Sequence, residues 1–223
     1  MMKNTTMRAA LLVAMLAASV LFAGTLDPPG PPAPTMVTLQ EIYNRISASA
    51  AAVSRTGQTG CWDATGIPIG CAGTGQDGEH QKGTSATPRF ADNGDGTVRD
   101  NLTGLIWVKD ATCFGLRSWS QALTDANGLA SGACGLTDGS GAGTWRLPNA
   151  REQRSLLDFG RSNPALPAGH PFTGVVSTYY WSSTTYMATS QQTFAMAVNF
   201  SLGYVGPDAK SGSWYVWPVR GGQ

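Results

Sequence analysis

Charge is the scarcest property of this chain: only 13% of its 223 residues are Asp, Glu, Lys or Arg, about half the ~25% usual in globular proteins. That shortage excludes a disordered polyelectrolyte. The 15 basic and 14 acidic residues leave a formal net charge of +1. A neutral chain lacks the basic surface that displaces counterions from phosphates, so nucleic acid is not an expected partner. Histidine is nearly absent, with only His80 and His170. Both fall in Gly- or Pro-rich stretches without a nucleophile-elbow pattern, so neither reads as a hydrolase base. Cysteine is sparse, and none follows Cys134. After Phe22 no stretch is apolar enough to cross a membrane.

What is present is glycine (28), proline (13) and a full complement of Trp, Tyr and Phe (7, 6 and 7). Together they describe a loop-rich globule with ample aromatic mass for a core.

The first residues predict a secretory signal over 1–24. Lys3 and Arg8 precede an apolar run from Ala9 to Phe22, interrupted only by Ser19, and small residues Ala23 and Gly24 follow. The run falls short of the ~20 residues of a bilayer span, so no stable membrane span is expected. Removing it leaves 13 basic residues against 14 acidic ones. The expected location is secreted, periplasmic or cell-surface. In an oxidising compartment Cys61, Cys71, Cys113 and Cys134 read as disulfide staples, since their spacing is too wide for a zinc knuckle. Three pairings are open. The two local ones, Cys61 with Cys71 and Cys113 with Cys134, are favoured because the first pair shares a small Gly-rich segment and the second brackets a helix.

Residues 25–37 form a Pro-rich linker. Thr38 and Glu41 make a capping box that opens a short amphipathic helix over 38–55. Leu39, Ile42, Ile46, Ser49 and Val53 follow an a/d pattern, so residues 39–53 offer a seam for a homo-oligomer. Residues 56–87 read as a Gly-rich, disulfide-tied hairpin and loop. The main domain, 88–222, opens with strands around Asn93-Gly94 and a third over 102–108. Two capped helices follow, at Ser118/Gln121 and Asn149/Glu152. Strands over 175–184, 193–201 and 213–219 close it. The fold class is α+β, two helices packed on short antiparallel sheets and preceded by an N-terminal helix and linker.

Several blocks then carry a resemblance. Arg89-Phe90, Asn93-Gly94-Asp95-Gly96-Thr97-Val98, Asp100 to Trp107, Trp145-Arg146-Leu147-Pro148-Asn149, Tyr180 to Thr184, Val198 to Ser201 and Val219-Arg220-Gly221-Gly222 resemble the Lcl C-terminal domain family. The resemblance implies a C-type-lectin-like fold akin to the formylglycine-generating enzymes, in exported bacterial proteins. The collagen-like adhesin that gives the family its name is trimeric and binds sulfated glycosaminoglycans. Where the family often ends in Tyr-Val-Arg-Cys-Val-Arg, this chain has Tyr215-Val216-Trp217-Pro218-Val219-Arg220. The missing cysteine implies a lost staple, which Cys113 with Cys134 would replace. Gln153 stands where the family prefers Leu.

Formylglycine chemistry requires a late reactive cysteine pair, which is absent here, so no catalysis is expected. Asp92, Asn93, Asp95 and Asp100 could gather around calcium, but Gly104 occupies the position where an EF-hand needs Glu, and turn chemistry accounts for the acids. Calcium is therefore a remote cofactor and no other is expected. The functional signal is aromatic. Tyr179, Tyr180, Trp181, Tyr186, Trp214, Tyr215 and Trp217 cluster if the late strands pair. Tyr186, Tyr215 and Trp217 are expected to be exposed, and Tyr180 and Asn199 join them as ligand candidates. Arg151 and Arg154, with Arg146 and Arg161, offer a stripe for anionic groups, although Arg154 and Asp158 also read as an ordinary i,i+4 pair. The expected role is noncatalytic recognition of a glycan or protein partner through the late strands and loops, as an adhesin or lectin-like protein. The alternative is a self-assembling surface subunit.

Overall fold

The computed structural model describes residues 53–221. The expected signal, the linker and nearly all of the 38–55 helix lie outside the described residues, as does most of the oligomer seam at 39–53. The helix does not reach Arg55. Ser54 makes a parallel bridge with Thr84, and the Arg55 amide donates to the Thr84 carbonyl at 3.0 Å, so this stretch is extended.

A small hairpin follows, β1 (Cys61–Trp62) pairing antiparallel with β2 (Pro68–Ile69). Asp63 builds its turn. The Asp63 amide donates to the Ile67 carbonyl, and its carboxylate accepts the amides of Thr65 and Ile67, each at 2.9 Å. Those bonds hold the Asp63 carboxyl below its usual range, led by the Thr65 hydroxyl. The short helix α1 (Asp77–His80) packs beneath, and Glu79 accepts the amides of Gly73 and Gly75 at 2.7 Å each.

The Asn93–Gly94 turn folds β3 (Phe90–Asp92) onto β4 (Thr97–Asp100), and β4 pairs in turn with β5 (Ile106–Val108). The third strand is shorter than its sequence promised. Asp100 ties Leu102 and Gly104 into a turn through bonds of 2.9 and 2.8 Å, and extended backbone resumes only after it. Next come β6 (Leu116–Arg117), α2 (Trp119–Gly128) and α3 (Ala150–Arg154). Both helices start where the caps indicated. Gln121 Oε1 accepts the Ser118 amide at 3.1 Å, and Glu152 and Asn149 exchange bonds of 2.8 and 2.9 Å.

The late chain supplies β7 (Tyr179–Thr185), β8 (Phe194–Asn199), β9 (Tyr204–Ala209), β10 (Trp214–Tyr215) and β11 (Val219–Arg220). Two larger sheets result, ordered β6-β10-β7-β8-β9 and β11-β5-β4-β3. Three details depart from expectation. The expected strand over 213–219 splits into β10 and β11, one in each sheet. β10 runs parallel to β7 in an otherwise antiparallel arrangement. β9 was hidden by Gly203, Gly206 and Pro207, and it lies at a sheet edge, where a proline leaves no ladder bond unmade.

The main core is shared by both sheets and includes Phe90, Val98, Trp107, Tyr180, Val198, Phe200, Trp217 and Val219. A second, smaller core lies between the opposite face of the five-stranded sheet and α2, joining Trp181, Ala195, Ala197 and Val216 to Ala122, Ala126 and Leu147. The architecture is thus α+β, with a mixed sheet holding apolar side chains on both faces. Two disulfides pin it, Cys61–Cys71 and Cys113–Cys134, with Cα separations of 5.2 and 5.3 Å. No helix among the described residues is long and apolar enough to cross a membrane.

Candidate recognition face

Side chains alternate across a strand, and here that alternation assigns the aromatics. Tyr180, Tyr215 and Trp217 turn toward the main core, whereas Tyr179, Trp181, Trp214 and Val216 turn toward the α2 side. Trp217 is completely buried, its indole N–H donating to the Val108 carbonyl at 2.8 Å and its ring lying edge-on to Phe172 at 4.8 Å. Tyr180 is equally buried, and its hydroxyl accepts the Val176 amide at 2.8 Å. Burial drives the Tyr180 hydroxyl far above its ordinary acidity range. Neither residue can meet a ligand, which corrects the sequence expectation for both. Tyr215 is half-buried against Tyr180, ring centroids 5.5 Å apart.

Asn199 is corrected too. It is buried, and its carboxamide oxygen accepts the amides of Ser201 and Leu202 at 2.8 and 3.0 Å, so it builds a turn. Tyr186, just past β7, is half-buried, and among the described residues its ring stacks on no other.

The rings that do reach solvent lie on the other side of the sheet. Tyr179 pairs with Asn199 and Asn199 with Tyr204, which places both tyrosines on one rung. Their rings meet edge-on at 5.8 Å and their hydroxyls hydrogen-bond to each other. Trp214 lies beside Tyr179, centroids 4.8 Å apart. Tyr204 is 44% exposed. Its ring lies over Gly206, where a Cβ would come within 3.0 Å of it, so glycine gives the ring its place. The bond from Tyr179 raises the pKa of the Tyr204 hydroxyl. At the other end of β7 and β9, the Lys210 ammonium sits 4.0 Å above the Trp119 ring and bonds Thr185 at 3.0 Å. The strip borders the second core and stands on strands at every position, so its rings are pre-placed. Sequence reasoning had Tyr179 and Trp214 in the cluster and missed Tyr204 along with its strand. The available signal was the odd–even alternation through 179–181 and 214–217.

The arginine stripe does not form as a unit. Arg146 forks onto Glu152 at 2.6 and 2.7 Å, and that partner raises its pKa further. Asp158 faces Arg161 at 3.7 Å, so the expected Arg154–Asp158 pair is absent, and Arg154 lies over the Phe159 ring instead. Arg151 and Arg154 remain exposed. The acids of the early hairpin also serve structure. Asp92 pairs with Lys109 at 2.6 Å, Asp95 accepts the Thr97 amide at 3.0 Å, and buried Asp100 receives the Arg89 fork at 2.8 and 2.9 Å. Among the described residues no three acids, histidines or cysteines are grouped to hold a metal ion.

A second exposed apolar set is outside the sequence expectations altogether. On the β1–β2 hairpin, Trp62, Ile67 and Ile69 face solvent. The Gln76 carboxamide clamps the Trp62 backbone, accepting its amide at 3.0 Å and donating to its carbonyl at 2.8 Å.

With both sheets and the aromatic strip in view, the family model for the Lcl C-terminal domain matches residues 96–220, more than half of the chain. The chain belongs to the Lcl C-terminal domain family. No curated protein matches it. The Lcl C-terminal match takes in β4 to β11 and the whole Tyr179–Tyr204–Trp214 strip, while the β1–β2 hairpin precedes it.

Proposed function

We propose that this protein is a noncatalytic recognition protein that works outside the cytoplasm and grips a glycan through the late-strand face. The observation that carries the reading is the strip of three adjoining rings, Tyr179, Tyr204 and Trp214, held on strands with part of their area open to solvent. An aromatic face offers apolar area to a sugar ring, and the tyrosine hydroxyls offer bonds to its rim. Near-neutral charge and the engagement of Arg146 with Glu152 favour an uncharged sugar over a sulfated polymer. The two disulfides fit an oxidising compartment, and the layered α+β architecture fits a C-type-lectin-like fold.

A glycan array tests this, comparing the protein with a Tyr204→Ala/Trp214→Ala variant and with Trp62→Ala. The expected result is binding that the double variant loses and Trp62→Ala keeps. Binding that survives the double variant removes recognition from this face. Silence on the array, with self-association that the double variant abolishes, supports the surface-subunit reading instead.

A further inference from the structure

We propose that the cavity between the 55–59 and 84–86 segments and the loop after α3 binds a small zwitterion of the α-amino acid class. It shares no residue with the aromatic strip and goes beyond the reading above. The cavity measures about 250 Å³, below the ~300–1,000 Å³ of sites that hold drug-sized ligands, so it admits a small metabolite rather than a peptide or oligosaccharide.

Its lining has opposite charges that do not satisfy each other. Arg55 contributes one. Its Nε donates to the Gly83 carbonyl at 3.1 Å, and the guanidinium forms no ion pair among the described residues. That leaves its outer N–H groups for a carboxylate, the anion whose geometry a guanidinium matches.

Asp158 contributes the other. One carboxylate oxygen accepts the Gly160 amide at 2.8 Å. The second faces Arg161 only at 3.7 Å, too long for a hydrogen bond, and so keeps acceptor capacity. Gly57 lets this carboxylate form the wall. It has φ +88°, and a Cβ there would fall 2.1 Å from Asp158 Oδ1, so the chain passes the carboxylate with backbone alone.

Leu157, Ala86 and Pro167 add an apolar lining. A cation, an anion and hydrocarbon in one lining match a molecule with a carboxylate, an ammonium and a short aliphatic side chain. The remaining arginine of the lining, Arg89, is neutralised by Asp100 and adds no competing demand for an anion.

The test uses saturation-transfer NMR and thermal melts of the full chain with L-leucine, N-acetyl-L-leucine, which lacks the ammonium, and L-leucinamide, which lacks the carboxylate. L-Leucine is expected to bind and raise the melting temperature, and each blocked analogue to bind about tenfold more weakly. Arg55→Gln is expected to make leucine and leucinamide equivalent, and Asp158→Asn to do the same for leucine and its acetyl form. Ser85→Trp, which puts bulk on the exposed rim, is expected to abolish binding with the fold intact. The inference is overturned if leucine leaves the melt and the spectra unchanged, or if Ser85→Trp binds as the parent does. Tyr204→Ala/Trp214→Ala is expected to bind leucine normally, which separates this site from the glycan reading.

Discussion

Tyr179 and Tyr180 are neighbours in sequence and chemically identical, yet they occupy opposite faces of one sheet. Tyr180 is sealed among Phe200, Tyr215 and Trp217, whereas Tyr179 lies in a partly wetted strip with Tyr204 and Trp214. The same split separates Trp214 from Trp217. The inner face is a closed packing of rings in which the Trp217 indole and the Tyr180 hydroxyl have found backbone partners. The outer face leaves ring area open, and its two tyrosine hydroxyls bond each other rather than the backbone. An aromatic side chain therefore says little about its role until its strand parity is known.

The sharpest way to break this contrast is to delete one ring from each side. Trp217→Ala is expected to cost about 3–5 kcal/mol, the usual range for emptying a buried tryptophan site. Tyr204→Ala is expected to stay within about 0.5 kcal/mol, as an exposed substitution does. Urea denaturation of both variants reads the gap, and equal losses would erase the distinction between the faces.

Polar groups on the inner side extend the comparison. Arg89→Met strands the fully buried Asp100 carboxylate, and about 3 kcal/mol of stability should go with the lost partner. The reverse is expected at Gln153 on α3. Its side chain is buried, and neither amide atom has a hydrogen-bond partner among the described residues. Gln153→Leu keeps a similar volume and removes an unsatisfied carboxamide, so a gain of about 1–3 kcal/mol should appear in the same denaturation series.

The smallest effect concerns His170, which packs against Phe172 at 5.8 Å. Burial lowers its pKa below the ordinary value of 6.5. As pH falls through that value the unfolded chain takes up the proton first, so stability declines on acidification. Urea midpoints taken between about pH 7 and pH 5 should show that decline, with His170→Gln giving a flatter profile. An unchanged slope in the variant would remove His170 from the inner set.

Local signals were readable before any coordinates. The capping pairs at Ser118/Gln121 and Asn149/Glu152, the Asn93–Gly94 turn and the favoured local disulfides depend on residues close together in the chain, and each appears where it was expected. The family blocks were legible for the same reason, and the 96–220 match covers most of them. The site was less legible. The direction of Trp217 depends on which core claims the odd positions of 214–217, and that of Tyr180 on which core claims the even position of 179–181. Asn199 looked like a ligand because a buried turn-builder and an exposed binder share the same chemistry. β9 was missed because Gly206 and Pro207 disqualify a central strand and not an edge one.

Strand β11 lies between the early strand β5 and the bridge to Arg146, with Val219 opposite Trp107. Trp217, just before it, fills the centre of the aromatic packing. The packing between the two sheets is therefore incomplete until residues 217–220 have been synthesised. Contacts spanning more than a hundred positions must then close late, so maturation should be slow and follow synthesis rather than accompany it. Until that moment Phe90, Trp107 and Tyr180 remain without their keystone, and the nascent polypeptide stays open enough to be threaded, held by a chaperone or degraded.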